Sequence, residues 1–150
     1  MIYDRTIADV EGAQVIIETK VKAFLPLTED EINTLERGVM TIGTLNRIEA
    51  KQNEVKQLLN KEGYYGGAFE NKTWEVGDYF MESDLVRLAN NTALLRKYIA
   101  VYSNTPQSPK AEYHFEEINK MEKILVDLEQ IVAEMKTKYR RCNTFRCGEV

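Results

Sequence analysis

The residues that could carry chemistry in this chain are few and scattered. His114 is the single histidine, and it stands beside the apolar Phe115 with no nearby serine, cysteine or aspartate in the pattern of a nucleophile motif. No Gly-x-Ser-x-Gly elbow is present, so the signature of a Ser–His–acid triad is missing. We interpret His114 as a structural or exposed histidine and predict that the protein is not an enzyme.

The two cysteines, Cys142 and Cys147, lie together near the end of the sequence. Zinc usually takes four ligands, and together with His114 one chain supplies three candidates at most. In a straight strand a separation of five places the thiols on opposite faces, so a disulfide would need a tight turn. We predict no metal site, and the sequence leaves open whether the thiols pair.

Carboxylates and glycines were the remaining candidates for a site. Glu116, Glu117 and Glu122 could do acid–base work, but we interpret them as a solvated helix face near a positive helix end. Bundle di-metal sites require Glu-x-x-His spacing, which His114 does not provide. The glycines at 63, 66 and 67 match neither nucleotide-binding motif, so we predict no cofactor.

An aromatic loop follows, between residues 64 and 80. Its aromatic residues are Tyr64, Tyr65, Phe69, Trp74, Tyr79 and Phe80. They could form a stacking or sugar-binding surface, or they could pack onto the rest of the fold. Exposed tyrosine and tryptophan favour protein interfaces, so Tyr64, Tyr65 and Trp74 are candidates for one.

A helical pattern appears three times and must position these residues. The copies read Leu45, Arg47, Ile48, Val55, Leu58, Leu59; then Leu85, Arg87, Leu88, Leu95, Tyr98, Ile99; then Ile118, Lys120, Met121, Leu128, Ile131, Val132. Apolar residues at this spacing form one stripe on an amphipathic helix. We therefore predict three long helices packed through these stripes. The aliphatic parts of the arginine side chains should lie along the bundle, with their guanidinium groups in water.

Helix start and stop signals predict the remaining elements. Thr6 with Asp9 and Thr28 with Glu31 resemble capping boxes, so one or two shorter N-terminal helices should precede the long ones. The first should bury Ala8, Val10, Val15, Ile16, Val21, Ala23 and Phe24 as an apolar stripe. We place the cap of the first long helix at Thr44, the second long helix between about 83 and 102, and the third between about 113 and 138.

The predicted fold is mainly α, a bundle of three long helices with one or two shorter N-terminal helices and an extended C-terminal arm. The helical domain should span residues 1–139 and the arm residues 140–150. At 150 residues the chain can bury a core without metals or disulfides.

Charge and hydropathy limit the partners. The net charge is −4, so no overall basic field exists to attract nucleic acid, which makes that partner unlikely. The residues from 136 to 146 do interleave basic and aromatic types, as single-strand binders can. No apolar run is long enough for a membrane span, and no secretion signal is seen. We expect the chain to stay in the cytoplasm, or to leave it by lysis or assembly rather than by secretion.

Several short motifs occur in order along the chain. They are Tyr3-Asp4-Arg5-Thr6, Leu45-Asn46-Arg47-Ile48-Glu49, a loop tryptophan at Trp74, Asp84-Leu85-x-Arg87-Leu88-x-Asn90-Asn91, a proline-containing linker, Asn119 to Leu125, and Phe145-Arg146-Cys147-Gly148-Glu149. In this order the chain resembles small structural proteins encoded in the tail regions of phages and prophages of Gram-positive bacteria.

The resemblance implies a non-enzymatic structural component of a phage tail or phage-tail-like particle, near the baseplate or the fibre attachment. It implies other tail or baseplate proteins as partners, a homo-oligomer, and a final location in the virion or tail-like particle. We expect the arm, with interface candidates Phe145, Arg146, Cys147, Gly148 and Glu149, to add a strand to a neighbouring protein. The alternatives are a small helical regulatory or nucleic-acid-binding protein and a small glycan-cleaving enzyme.

Overall fold

The fold is mainly helical, and the prediction of three long helices after two shorter ones is confirmed. The computed structural model describes residues 1–64 and 68–142, with side chains as far as 137. Its helices are α1 Ile7–Ile16, followed by a π-helical turn Ile17–Val21, then α2 Glu29–Gly38, α3 Ile42–Lys61, α4 Glu82–Lys97 and α5 Phe115–Cys142. No strand occurs within the described residues.

Both predicted capping boxes are confirmed. The Thr6 hydroxyl accepts from the Asp9 backbone N–H, and the Asp9 carboxylate accepts from the Thr6 backbone N–H at 2.7 Å. Thr28 and Glu31 make the same reciprocal pair at the start of α2. These contacts satisfy amide groups that a helix start leaves without intrahelical partners, which is why the two short helices begin at these residues.

Three predicted boundaries differ from the structure. Thr41, not Thr44, caps α3, since the Thr41 hydroxyl accepts the Thr44 N–H at 3.1 Å. The helix α4 ends at Lys97 rather than near 102, and the following Tyr98 and Ile99 pack against the core from outside the helix. The helix α5 continues to Cys142 rather than ending near 138. Residues 143–150, the rest of the predicted arm, lie outside the described residues.

The core lies between α3, α4 and α5, and the repeated stripes build it. The buried members of the three copies are Leu45, Ile48, Val55, Leu59, Leu85, Leu88, Leu95, Ile118, Met121, Leu128, Ile131 and Val132. The interpretation of the copies as core stripes is therefore confirmed. Trp74, from the loop between α3 and α4, joins the same core.

The helices α1 and α2 pack against each other as an N-terminal hairpin, which we define as residues 7–38. The predicted apolar stripe of the first helix is wrong, because Ala13 is the single buried residue of α1. The hairpin depends on a close approach at Gly38, where an added Cβ would lie 2.1 Å from the Asp9 carbonyl oxygen and 2.3 Å from the Ala13 Cβ. The partner of α1 is thus α2, and the other apolar side chains of α1 do not enter the bundle core.

Candidate functional site

The motif in α3 holds an extended segment of the aromatic loop. The Asn46 amide donates to the Trp74 carbonyl at 3.0 Å and accepts the Trp74 backbone N–H at 2.8 Å. Glu49, three residues further on the helix, accepts the Lys72 backbone N–H and the Trp74 indole N–H. The asparagine and the glutamate together fix residues 72–74 to α3.

The copy of this motif in α5 holds the N-terminal segment in the same way. The Asn119 amide donates to the Arg5 carbonyl at 2.9 Å and accepts the Arg5 backbone N–H at 3.2 Å. Glu122 accepts the Ile2 backbone N–H at 2.7 Å and the Arg5 guanidinium at 2.9 Å. The copy in α4 has Val86 and Ala89 at the equivalent positions, and their apolar side chains cannot make these bonds.

The arginines of the motif pair with buried glutamates on other helices, so the expectation that their guanidinium groups stay in water is wrong. Arg87 of α4 makes two hydrogen bonds to Glu49 of α3, at 2.6 and 3.0 Å, and this pairing raises the arginine pKa. Arg47 of α3 donates to Glu122 of α5 at 3.0 Å. The repeated motif therefore supplies ion pairs that join α4 to α3 and α3 to α5, in addition to the apolar residues of the core.

The two buried glutamates differ in the number of arginines that pair with them. Glu49 pairs with the single guanidinium of Arg87, whereas Glu122 is shared by Arg5 and Arg47. One Nη2 atom of Arg5 and one of Arg47 are buried with no hydrogen-bond partner among the described residues. The buried carboxylate of Glu122 therefore pairs with two guanidiniums, of which that of Arg5 is buried and that of Arg47, with a side chain 26% exposed, is partly in solvent.

A cleft of about 390 Å³ opens between the N-terminal hairpin and the start of α5. Ile7 and Val10 line it from the hairpin, Met40 from the connector, and Phe115 and Ile118 from α5. The charged lining residues are Arg5 and Arg37, and none of the residues that line the cleft is acidic. Both guanidiniums are already paired, Arg5 with Glu122 and Arg37 with Asp4 and Asp9, so the cleft offers a chiefly apolar lining.

Arg37 also fastens the hairpin to the N-terminal segment. Its guanidinium donates to the Asp9 carboxylate at 2.9 Å and to Asp4 at 3.2 Å. The hydrogen bond from Arg37, followed by that from the Thr6 backbone N–H, lowers the pKa of Asp9 to about 2. The pair that joins α2 to α1 through Asp9 therefore keeps its charge in acid, and the bond to Asp4 joins the hairpin to the segment before it.

His114 lines the cleft near its opening, as the prediction of a structural or exposed histidine allows. Its ring stacks on Phe115 with 4.8 Å between centroids, and its Nδ1 lies 3.8 Å from the Glu116 carboxylate. In the part of the chain that the structure describes, no three His, Cys, Asp or Glu residues group to hold a metal.

The acids at the start of α5 do not form the solvated face that we expected. Glu116 is exposed, but Glu117 and Glu122 are buried. Glu117 accepts hydrogen bonds from Lys120 and from the Lys110 backbone N–H, which lower its pKa against the effect of burial. Lys120 is an i,i+3 partner on the same helix, whereas the bond from Lys110 depends on how the preceding loop folds back, which the spacing of the acids does not reveal.

The aromatic interface candidates that the structure describes lie against the bundle. Trp74 is 3% exposed and packs on Phe80 with 5.5 Å between ring centroids. Tyr64 is half-buried and packs against the core cluster. The loop thus places its tryptophan inside the fold, where little of it is accessible. Tyr65 and the arm candidates Phe145 to Glu149 lie outside the described residues.

Exposed apolar residues lie on the N-terminal hairpin, where the stripe of the first helix was expected to be buried. The large ones are Ile7, Val15, Val21, Phe24, Leu25 and Ile32. A second exposed set, Val76, Tyr79 and Met81, lies after Trp74 and before α4. Phe24 is 96% exposed and has a φ of +54°, a left-handed conformation that is unfavourable for a bulky residue. A signal was present in the run Val15-Ile16-Ile17, since consecutive apolar residues cannot all face one partner on a helix.

No known family model, curated protein or solved structure matches this chain. Within the described residues, no helix combines the length and apolar character needed to cross a membrane. The candidate site therefore rests on its own geometry, which consists of the cleft, the Arg5–Arg47–Glu122 cluster and the apolar hairpin.

Proposed function

We propose that this protein is a non-enzymatic structural component of a phage tail or phage-tail-like particle, in the baseplate or fibre-attachment region, and that it acts by protein–protein assembly. The observation that carries this proposal is the exposed apolar surface of the hairpin. Large apolar residues exposed together on one small element are typical of a surface that a partner covers. The bundle of α3, α4 and α5 has its own core, so the hairpin surface is available for that purpose.

The assignment to a tail particle is supported by the ordered sequence motifs. Two of them have clear roles in this fold, because Asn46 with Glu49 and Asn119 with Glu122 fasten extended segments to helices. A motif that fixes a fold is expected to recur among proteins that share it. The resemblance in these motifs therefore supports a shared architecture with small tail-region proteins.

The rival functions gain no support from the contacts. A nucleic-acid-binding role would need Arg47, Arg87 and the terminal basic residues to share one face, but Arg47 and Arg87 are engaged by buried glutamates. A glycan-cleaving role needs a free acid near a substrate groove, whereas Glu117 and Glu122 are buried in ion pairs. Assembly remains the function that the geometry supports best.

The proposal is tested by quantitative mass spectrometry of gradient-purified tail-like particles from an induced host lysate. We expect the chain at a fixed ratio to the tube protein across the particle peak, with an abundant cytosolic host protein as the control for carry-over. A chain that stays at the top of the gradient would contradict the structural role. A salt-titrated nucleic-acid binding assay would then test the regulatory alternative.

A further inference from the structure

A second cavity, of about 370 Å³, lies towards the C-terminal end of α5. Val132, Met135 and Lys136 line it from α5, and Glu62 and Tyr64 line it from the chain that follows α3. Because positions 132, 135 and 136 are three and four residues apart, they share one face of the helix. Val132 belongs to the core, whereas Tyr64 and Met135 are half-buried, so the cavity leads from the core to the surface.

The lining of this cavity suits an uncharged aromatic group. Its two charged residues, Glu62 and Lys136, pair with each other at 2.9 Å, so neither calls for a charged occupant. The Tyr64 hydroxyl donates to the Met135 sulfur at 3.9 Å, which places a thioether and a phenol side by side in the wall. Thioethers make favourable contacts with aromatic rings and adapt to the shape of their neighbours.

The segment that follows α5 begins within reach of the cavity. The helix ends at Cys142, which is seven residues, or about 10 Å of helix, beyond Met135. Phe145 comes three residues after Cys142, and three residues of extended chain also span about 10 Å. Asn143, between them, is a residue type that ends helices in the left-handed conformation and so turns the chain back.

The same lengths exclude the cleft beside the hairpin as the place where this segment lies. Ile118 is the cleft residue furthest along α5, and it precedes Cys142 by 24 residues, or about 36 Å of helix. Residues 143–150 span at most about 28 Å when fully extended. Of the two cavities, the terminal segment of a chain can therefore enter the one at its own end of α5.

We infer that residues 143–150 fold back on their own chain and that the ring of Phe145 occupies the cavity beside Met135. Phe145 is the single aromatic residue of this segment, so no other side chain of the segment competes for the same lining. Addition of the segment to a neighbouring protein as a strand then requires the ring to leave the cavity. The inference does not depend on the proposed tail-particle function.

Methyl NMR of the full chain, labelled with carbon-13 at the methionine methyl groups, tests the inference. An aromatic ring shifts the resonance of a methyl group that it covers, so the Met135 signal, identified with Met135→Leu, reports the occupant of the cavity. Phe145→Leu removes the ring but keeps an apolar side chain of similar size. Tyr113→Leu is the matched control, because Tyr113 is an aromatic residue at the opposite end of α5 and is 64% exposed.

We expect the Met135 signal to move in Phe145→Leu while the signals of Met40 and Met121 stay in place, and Tyr113→Leu to leave the Met135 signal unchanged. A nuclear Overhauser effect between the Phe145 ring and the Met135 methyl group should persist on dilution. A Met135 signal that is the same in Phe145→Leu and the wild type would overturn the inference. An Overhauser effect that disappears on dilution would also overturn it, because the ring would then come from a second copy.

Discussion

At the scale of single residues, Glu122 is the electrostatic centre of the molecule. It is fully buried and accepts from Ile2, Arg5 and Arg47, and so links the N-terminal segment, α3 and α5. A buried carboxylate of this kind gives little net stability compared with apolar packing, but its loss leaves charged partners buried without compensation.

Glu122→Gln should therefore destabilise the protein strongly. The buried guanidinium of Arg5 and the partly buried one of Arg47 would lose their counter-charge, and we expect the free energy of unfolding to fall by about 3–5 kcal/mol. Urea denaturation measured by circular dichroism gives this value. Glu129→Gln is the matched control on α5, since Glu129 is 39% exposed and pairs with Lys51 at 2.7 Å; its loss should cost at most about 1 kcal/mol. Equal effects of the two changes would contradict the proposed role of Glu122.

The ion pair of Asp9 predicts a pH dependence at the same scale. The Arg37 hydrogen bond lowers the folded-state pKa of Asp9 from 3.8 to about 2. The unfolded chain therefore binds this proton first, so the stabilisation is complete above about pH 4 and is lost as the pH falls towards 2. Asp9→Asn should flatten the fall of Tm between pH 4 and 2. A variant and a wild type with parallel Tm profiles in that range would exclude this contribution.

At the scale of elements, the hairpin is the part of the fold with the least support from the core. The helices α1 and α2 bury a single residue of α1 between them, and the close approach at Gly38 makes their packing possible. The hairpin is then tied to the N-terminal segment by Arg37, which bonds to Asp4 and Asp9. We expect it to open before the three-helix bundle unfolds.

Gly38→Ala should separate α1 from α2, because the new methyl group would lie 2.1 Å from the Asp9 carbonyl oxygen. We expect faster hydrogen exchange of amides in residues 7–38, with little change in the bundle. Gly12→Ala is the matched control, since its methyl group would meet Thr34 at an acceptable 3.4 Å and alanine favours a helix by up to about 1 kcal/mol. Unchanged exchange in Gly38→Ala would show that the close approach is not required.

At the scale of the whole molecule, local signals predicted the helices and failed for the contacts between them. Capping at Thr6 and Thr28 depends on residues three apart, and the stripe from Leu45 to Leu59 repeats within one helix, so both could be recognised in the sequence. The contacts of Glu122 join residues that are 117 and 75 positions away, and no local pattern specifies them. The cleft was missed for the same reason, because Ile7 and Phe115 line one cavity only after folding.

The most direct test of the assembly role is the incorporation of matched surface variants into particles. A host lacking the chain would be supplied with the wild type, Phe24→Asn or Val76→Asn, and the copy number in gradient-purified particles would be measured by mass spectrometry. Val76 is the matched control, because it is 96% exposed like Phe24 but lies outside the hairpin. The account predicts equal incorporation of the wild type and Val76→Asn, and at least a tenfold loss for Phe24→Asn at equal soluble abundance. Phe24→Asn incorporated at the wild-type level, or absence of the wild-type chain from particles, would contradict it.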